Sequence, residues 1–242
     1  MAGLADFWNM IWPELGKGLG VTLRLSAGSL VFGLLIGLPT ALARVYGQRW
    51  LRMLATAYVD LFRGTPLLVQ LFLVYYGLAD PSIGKLLTDI GLPEGILVLK
   101  PLTAAFLALG LNSGAYQAEY FRGAIQAIGS GQMLAARALG MSRLQAIVTV
   151  IMPQALRLAI APWSNEAAYM VKYTSVVYVL GLTNPDLFGA AKRIMSAHYN
   201  QMVMLPFVGS IYLVVVLCIT WVMGKLEARL RIPGLEMEVE RV

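Results

Sequence analysis

Five long apolar runs constrain the fold of this chain more than any other feature of its sequence. They lie at about 18–43, 53–78, 101–121, 154–178 and 203–225. Each run can cross a bilayer core about 30 Å thick, because a helix needs about 20 apolar residues to do so. The chain is 58% hydrophobic and only 13% charged, whereas a soluble domain carries about a quarter charged residues. The sequence therefore predicts an all-α integral membrane protein with five transmembrane helices in a single domain, 1–242.

The positions of Lys and Arg predict the orientation of these helices. If the N-terminus lies outside, eleven basic residues are cytoplasmic and five are external, as expected from the enrichment of Lys and Arg in cytoplasmic loops. The external five are Lys17, Lys85, Lys100, Lys192 and Arg193. An odd number of spans then places the C-terminus in the cytoplasm. Residues 1–16 repeat apolar side chains at helical spacing, with Trp8 and Trp12 as anchors, and are predicted to form a short interfacial helix.

The sequence lacks the residue sets of common enzymes and metal sites. One Cys, Cys218, and one His, His198, are present, which excludes an internal disulfide and any metal site built from several Cys or His ligands. The patterns H-E-x-x-H, G-x-S-x-G and G-x-x-x-x-G-K-[ST] are absent. We therefore expect no catalytic residue, no metal and no cofactor, and any ATP must be bound by a partner. The net charge of +6 follows the cytoplasmic bias and implies no nucleic-acid binding.

The coupling segment, residues 122–153, is the longest cytoplasmic connection in this topology. Its stretch LAARAL at 134–139 contains strong helix formers, Gly140 can take the positive φ that ends a helix, and Ser142 can cap the next one. Pro153 stands where the next membrane helix begins and its missing N–H costs nothing. The sequence predicts two short helices joined at a glycine. A passive amphipathic linker on the membrane is the alternative, but it gives no reason for Gly and Pro at this spacing.

At these residues the chain resembles the permease subunits of ATP-binding-cassette (ABC) importers, whose signature is E-A-A-x-x-x-G, nine residues, then I-x-L-P. The matching positions are Ala135, Ala136, Gly140 and Pro153, with Val150 and Met152 as conservative replacements. Leu134 stands where the family usually has Glu. The resemblance implies that the segment docks into a groove of a separate ATPase subunit. The residues expected to couple to the ATPase are Ala135, Ala136, Gly140, Met141, Ser142 and Pro153.

Three further stretches resemble the polar amino-acid class of these permeases. They are DLFRGTPLLVQLFLVYYGL at 60–78, AYQAEYFRGAIQAIGSGQ at 115–132 and VKYTSVVYVLGL at 171–182. The resemblance implies a type I ABC importer permease fold in a prokaryotic plasma membrane, crossing the bilayer several times. It also implies three kinds of partner: ATPase subunits inside the cell, a second permease subunit that is identical or homologous, and an external amino-acid-binding protein.

Polar residues inside the spans are the candidate substrate-binding residues, because ionisable groups within a membrane are costly. At about 1.5 Å per residue, four of them lie roughly 15–17 Å from the ends of their spans, near the bilayer midplane: Arg63, Asn112, Asn165 and Glu166. Transporters commonly hold substrate at this depth. The alternative is that Arg63 only forms a structural ion pair, with Asp60 or with Glu166. Gly64 and Pro66 also predict a helix break, whose free backbone groups could bind a zwitterion.

Two weaker patterns lie outside this set. Glu119 and Arg122 are three residues apart near the cytoplasmic end of the third span and are predicted to pair. The glycine pairs 33/37 and 110/114 permit close helix contact and are candidates for the surface between two copies of the chain. Together with these patterns, the resemblance implies half of the pore of an ATP-driven amino-acid importer. The alternatives are a non-transporting membrane scaffold or sensor, and a membrane-embedded enzyme, for which only Arg63 and Glu166 share one depth.

Overall fold

The computed structural model of the chain describes residues 2–78, 80–89, 91, 99–128, 130–198 and 201–230. These residues form helices and connections, with no strand among them, which confirms the all-α prediction. The helices are α1 (Ala2–Tyr46), α2 (Arg49–Gly64), α3 (Leu67–Phe72), α4 (Pro81–Asp89), α5 (Pro101–Ala127), α6 (Ser130–Ala138), α7 (Arg143–Ala146), α8 (Met152–Leu158), α9 (Ile160–Tyr173), α10 (Leu187–His198) and α11 (Gln201–Leu230). Wider π-helical turns follow α3 at Leu73–Gly77 and α7 at Ile147–Ile151, and a 3-10 helix follows α9 at Thr174–Leu180.

Candidate membrane spans are of two kinds. In α1 the stretch Ile11–Tyr46, and the whole of α11, are each long and apolar enough to cross a bilayer. Two further candidates are bent pairs: Arg49–Gly64 with Leu67–Gly77, at 108°, and Arg143–Leu158 with Ile160–Leu180, at 52°. The described residues thus contain two such helices, or up to four spans if each bent pair counts as one. The count of five and the orientation stay predictions.

The first helix differs from the prediction, because α1 is continuous from Ala2 to Tyr46. No separate short helix exists at 1–16. Ile11 and Leu15 are fully buried in a cluster with Leu187 of α10 and Met204 of α11, so the start of α1 has its own packing partners. Ile11 and Leu15, which were predicted to face the membrane surface, instead face other helices, whereas Trp12 is exposed. The side chain of Trp8 lies outside the described residues.

The long helix α5 is the centre of the fold and packs along α1. Gly37 of α1 faces Gly114 of α5, and a Cβ added at Gly37 would lie 2.8 Å from the carbonyl oxygen of Gly114 and 2.9 Å from the Cβ of Gln117. Gln117 strengthens this contact by donating from Nε2 to the carbonyl oxygen of Leu30 at 3.0 Å. The glycines thus join two helices of one chain, and their assignment to a surface between two copies was wrong.

The connection between α5 and α8 has the predicted hinge at glycine. Gly140 has φ +84°, its N–H donates to the carbonyl of Arg137, and the N–H of Met141 donates to Ala136; this is the bonding pattern of a glycine-terminated helix. Ser142 caps α7 in a reciprocal pair of hydrogen bonds with Gln145. The two short helices joined at a glycine are confirmed.

The ends of this connection differ from the prediction. α5 runs to Ala127, so 122–127 belong to the long helix rather than to a loop. Pro153 stands in the first turn of α8, as predicted, but α8 continues directly from the π turn Ile147–Ile151 and not from a loop. A proline cannot donate to the carbonyl four residues before it. The wider turn just before Pro153 is the kind of irregularity at which helices tolerate such a loss.

Gly37→Ala is expected to destabilise the chain, because the added Cβ meets backbone atoms of α5 that cannot move aside. Overpacking of this kind costs about 1–3 kcal/mol. The measurement is the thermal unfolding midpoint of the purified chain in detergent. Gly16→Ala in the same helix is the control, since its Cβ meets nothing within 4 Å. Equal midpoints for the two variants would contradict a tight contact between α1 and α5.

Candidate functional site

The break between α2 and α3 leaves backbone carbonyls without helical partners inside an apolar region. α2 ends at Gly64, and Thr65 and Pro66 are extended. Gln70 is buried and its Nε2 donates to the carbonyl oxygens of Phe62 at 2.7 Å and Thr65 at 3.0 Å. An amide side chain therefore replaces the lost helical hydrogen bonds. The predicted break is confirmed. The sequence analysis missed the role of Gln70, although its position four residues after Pro66 is apparent in the sequence.

Asn112 of α5 completes this arrangement. It is buried, and its Nδ2 donates to the carbonyl oxygen of Phe62 at 3.3 Å and to Oε1 of Gln70 at 2.9 Å. The side-chain amide has only two N–H groups, so both have partners within the protein. Asn112 thus ties α5 to the helix break, and the carbonyls of Phe62 and Thr65 are already bonded.

Glu119 of α5 is the centre of a charged cluster. Its Oε2 accepts from Arg122 at 2.7 Å and 3.0 Å, which confirms the predicted pair. Its Oε1 accepts from Arg44 of α1 and lies 3.5 Å from Nη1 of Arg63. One carboxylate thus joins arginines from three helices. Among the described residues Arg63 forms a salt bridge with neither Asp60 nor Glu166, so the predicted structural partners were wrong.

Arg63 is the most exposed member of the Glu119 cluster. Its side chain is 42% exposed, compared with 12% for Arg44 and 15% for Glu119. Its guanidinium carbon lies 5.3 Å from the centre of the Tyr116 ring, within the range of a cation–π contact. The guanidinium is therefore held between a carboxylate and an aromatic face, and part of it remains open.

Glu166 of α9 is nearly fully buried, with 1% of its surface exposed. Its Oε2 accepts from the Tyr120 hydroxyl at 3.3 Å, and the Ser113 side chain lies beside the carboxylate. In the part of the chain that the structure describes, Oε1 is buried without a hydrogen bond of full geometry, and the Ser113 hydroxyl is its candidate donor. Leaving such an atom unpaired costs free energy that a donor from a ligand would recover.

Tyrosines connect the two charged groups. Tyr120 lies within electrostatic range of both Glu166 and Arg63, and Tyr173 of α9 within range of Glu166 and Tyr116. The structure thus brings Arg63 and Glu166 to the same aromatic cluster from two different helices. Asn165 is exposed on α9; as the neighbour of Glu166, it points about 100° away around a helix with 3.6 residues per turn.

The coupling segment presents apolar side chains to its surroundings. Leu134 is 68% exposed, Leu139 81% and Leu144 70%, while Ala136 is buried beneath them at 3%. Isolated exposed leucines are ordinary, but Leu134 on α6, Leu139 in the turn and Leu144 on α7 are close in sequence and are a candidate contact surface. No group of three His, Cys, Asp or Glu able to hold a metal occurs within the described residues.

Comparisons with known proteins cover nearly the whole chain. A family model described as "Binding-protein-dependent transport system inner membrane component" matches residues 29–232. The nopaline transport system permease protein NocM of Agrobacterium fabrum is 37% identical over 89% of this chain and 85% of its own length. The glutamine transport system permease protein GlnP of Escherichia coli is 32% identical over 93% and 98%. The matched region includes the helix break, the Glu119 cluster and the short helices of the coupling segment.

A solved structure is similar over the same extent. It is described as "Crystal structure of an amino acid ABC transporter with histidines", and one of its chains is 34% identical to this chain. The TM-score is 0.77, with coverage of 93% of this chain and 98% of that chain. The resemblance in sequence and the resemblance in fold therefore concern the same protein class.

Glu119→Gln is expected to destabilise the chain, because three arginines would lose their shared negative partner while the side chain keeps its size. We expect a loss of about 1–3 kcal/mol, below that for a fully buried pair because the cluster is partly exposed. The measurement is again the unfolding midpoint in detergent. Asp60→Asn is the control, since Asp60 is exposed and forms no salt bridge with a described residue. Equal effects would show that the cluster adds no stability.

Proposed function

We propose, because this chain belongs to the family of binding-protein-dependent transport system inner membrane components, that it forms half of the translocation pore of an ATP-driven amino-acid importer. Members of this family are transport permeases and not enzymes, so ATP hydrolysis belongs to a separate ATPase subunit. Relatives named for nopaline, glutamine and L-cystine transport support an amino-acid substrate. A scaffold or sensor without transport has no observation in its favour.

The proposed assembly has a second permease subunit, two ATPase subunits inside and an amino-acid-binding protein outside. In this assembly the chain crosses a bacterial plasma membrane five times, with its N-terminus outside. The excess of Lys and Arg on the proposed cytoplasmic side supports this orientation. The apolar faces of α11, where Leu213, Leu217 and Trp221 are exposed, are compatible with contact to lipid or to a second subunit.

The proposed substrate site lies between Arg63 and Glu166, and the buried Oε1 of Glu166, which lacks a hydrogen bond of full geometry, is the observation that carries it. A buried carboxylate oxygen of this kind is suited to accept from the ammonium group of an amino acid. The open side of Arg63 is suited to the carboxylate group, since a guanidinium can donate two parallel hydrogen bonds. Tyr116 contacts Arg63 and Tyr120 donates to Glu166, so their rings would face the carbon skeleton of the substrate.

Binding at Arg63 would compete with its contact to Glu119. That contact, at 3.5 Å, is longer than the 2.7 Å contact of Arg122 to the same carboxylate. Arg63 can therefore turn to a substrate while Arg44 and Arg122 continue to neutralise Glu119. In this proposal Asn112 is a positioning residue, because its donors keep the helix break next to Arg63 in place. Asn165 stays a proposed member of the site at its exposed edge.

Arg63→Lys and Glu166→Gln are each expected to lower uptake at least about tenfold. Lysine keeps the charge but loses the two parallel hydrogen bonds of the guanidinium. Glutamine loses the negative charge that is proposed to accept from the ammonium group. Uptake of radiolabelled amino acids is measured in proteoliposomes that contain the chain, its ATPase and its binding protein. Asp60→Asn is the control, and all variants are compared at equal assembly with the ATPase. A double variant, Arg63→Met with Glu166→Leu, removes both charges of the proposed site. Robust uptake by that variant would exclude a role in substrate binding.

The proposed contact with the ATPase consists of the exposed leucines around the Gly140 turn. Leu134, in place of the Glu usual in the family, makes this surface apolar, as do Leu139 and Leu144. The hydrogen bonds at Gly140 and the cap at Ser142 hold the two short helices at a fixed angle. A fixed angle lets motion of the ATPase pass through α8 and α9 to Glu166.

Gly140→Pro is expected to abolish uptake while the chain still reaches the membrane. Proline forbids the φ of +84° and removes the N–H that bonds the carbonyl of Arg137. Gly131→Pro is the matched control, because position 131 lies in the first turn of α6, where proline is tolerated. Uptake and ATPase assembly are measured for both. Normal transport by Gly140→Pro, or labelling of Ser142→Cys by an impermeant reagent from outside intact cells, would overturn this role.

A further inference from the structure

A cavity lies apart from the Arg63–Glu166 region. It has a volume of about 660 Å³ and is formed by the first half of α1, the start of α5, the loop before α10, and α10 itself. This volume is in the range of pockets that hold small organic ligands, about 300–1,000 Å³. The proposed transport function makes no use of it.

The charges that line this cavity favour an anion. Its walls carry three cations, Lys17, Arg24 and Arg193, and one carboxylate, Glu14. None of the three cations forms a salt bridge with a carboxylate in the described ranges. The lining therefore has an excess of two positive charges that no described residue neutralises.

Both arginines are oriented by the backbone yet keep free donors. Nε of Arg24 donates to the carbonyl oxygen of Gly20 at 3.0 Å, and Nη2 of Arg193 donates to that of Leu182. A guanidinium has five N–H donors, so each arginine can still bind a ligand with most of them. Two arginines held in this way are suited to the oxygens of a phosphate group.

The rest of the lining is polar at Thr103, Thr183 and Asn184 and has an apolar wall. Val21 and Leu25 of α1 face Leu102 and Phe106 of α5 across the cavity. An inorganic anion or a lone carboxylate would leave these side chains without a partner. A ligand that carries both a negative group and a hydrocarbon chain would contact both parts of the wall.

The position along α1 corresponds to the edge of the bilayer. The apolar stretch Ile11–Tyr46 has 36 residues, about 54 Å at 1.5 Å per residue, and exceeds a bilayer core of about 30 Å. The cavity lies near one end of this stretch. Trp12, which is 52% exposed and two residues before the first lining residue, is a residue type enriched at membrane–water interfaces.

We propose that this cavity binds an anionic phospholipid, with the phosphate at Lys17, Arg24 and Arg193 and an acyl chain along Val21, Leu25 and Phe106. Basic pockets between membrane helices recognise lipid headgroups in this way. An acidic protein segment would match the cations but not the apolar wall. The proposal does not depend on which amino acid the chain transports or on the Arg63–Glu166 site.

The test is native mass spectrometry of the delipidated permease–ATPase complex mixed with dioleoyl phosphatidylglycerol or dioleoyl phosphatidylcholine. We expect phosphatidylglycerol to be retained over phosphatidylcholine by roughly tenfold, given the favourable contribution of each cation near an anionic lipid. The double variant Arg24→Gln with Arg193→Gln should lose this preference. Arg157→Gln, at an exposed arginine outside the cavity, is the matched control and should keep it.

Two further variants keep the proposal testable if the glutamine variant fails to fold. Arg24→Lys with Arg193→Lys keeps the charges and should keep most of the preference, whereas Val21→Trp fills the apolar part and should lower retention of both lipids. Equal retention of the two lipids by the wild-type complex would overturn the proposal. An undiminished preference in the glutamine variant would also overturn it. The same holds if that variant keeps the preference but loses its second permease subunit or its binding protein.

Discussion

A broken helix inside an apolar protein must satisfy its own carbonyl groups, and the rest of this structure depends on how that is done. Water cannot serve as the partner at membrane depth, so the hydrogen bonds must come from the protein. Gln70 and Asn112 supply them to Phe62 and Thr65. Because Asn112 belongs to α5, satisfying the break also fixes α2 against the central helix. The position of Arg63, the last residue but one of α2, follows from that attachment.

The central helix α5 uses each of its faces for a different task. Its glycine face, at Gly114, lies against α1; Asn112 holds the helix break; Tyr120 meets Glu166 on α9. Glu119, one residue before Tyr120, gathers the arginines of three helices. A single rigid helix therefore sets the distance between the two charges of the proposed substrate site. A change in any contact of this helix would alter that distance.

The features that the sequence predicted correctly are those fixed by local chemistry. The break at Pro66 and the joint at Gly140 and Ser142 follow from the backbone conformations that these residues allow or forbid. The features that it missed depend on residues far apart in the chain. The partner of Arg63 lies 56 positions away at Glu119, and the continuity of α1 depends on packing with α10 and α11. Sequence spacing places groups at one depth, but it does not say which side of a helix they face.

The separation of the Glu119 cluster along the chain has a consequence for biosynthesis. Arg44 precedes Glu119 by 75 residues, and bacterial and eukaryotic ribosomes together span rates of about 5–20 residues per second. The arginine of α1 is therefore made roughly 4–15 seconds before the carboxylate that neutralises it. During this interval Arg44 lacks its final partner, as does Arg63, which lies inside the second apolar run, where an unpaired cation is costly. We therefore expect α2 to reach its final depth only once α5 is made, so that α5 completes the insertion of α2 as well as its packing.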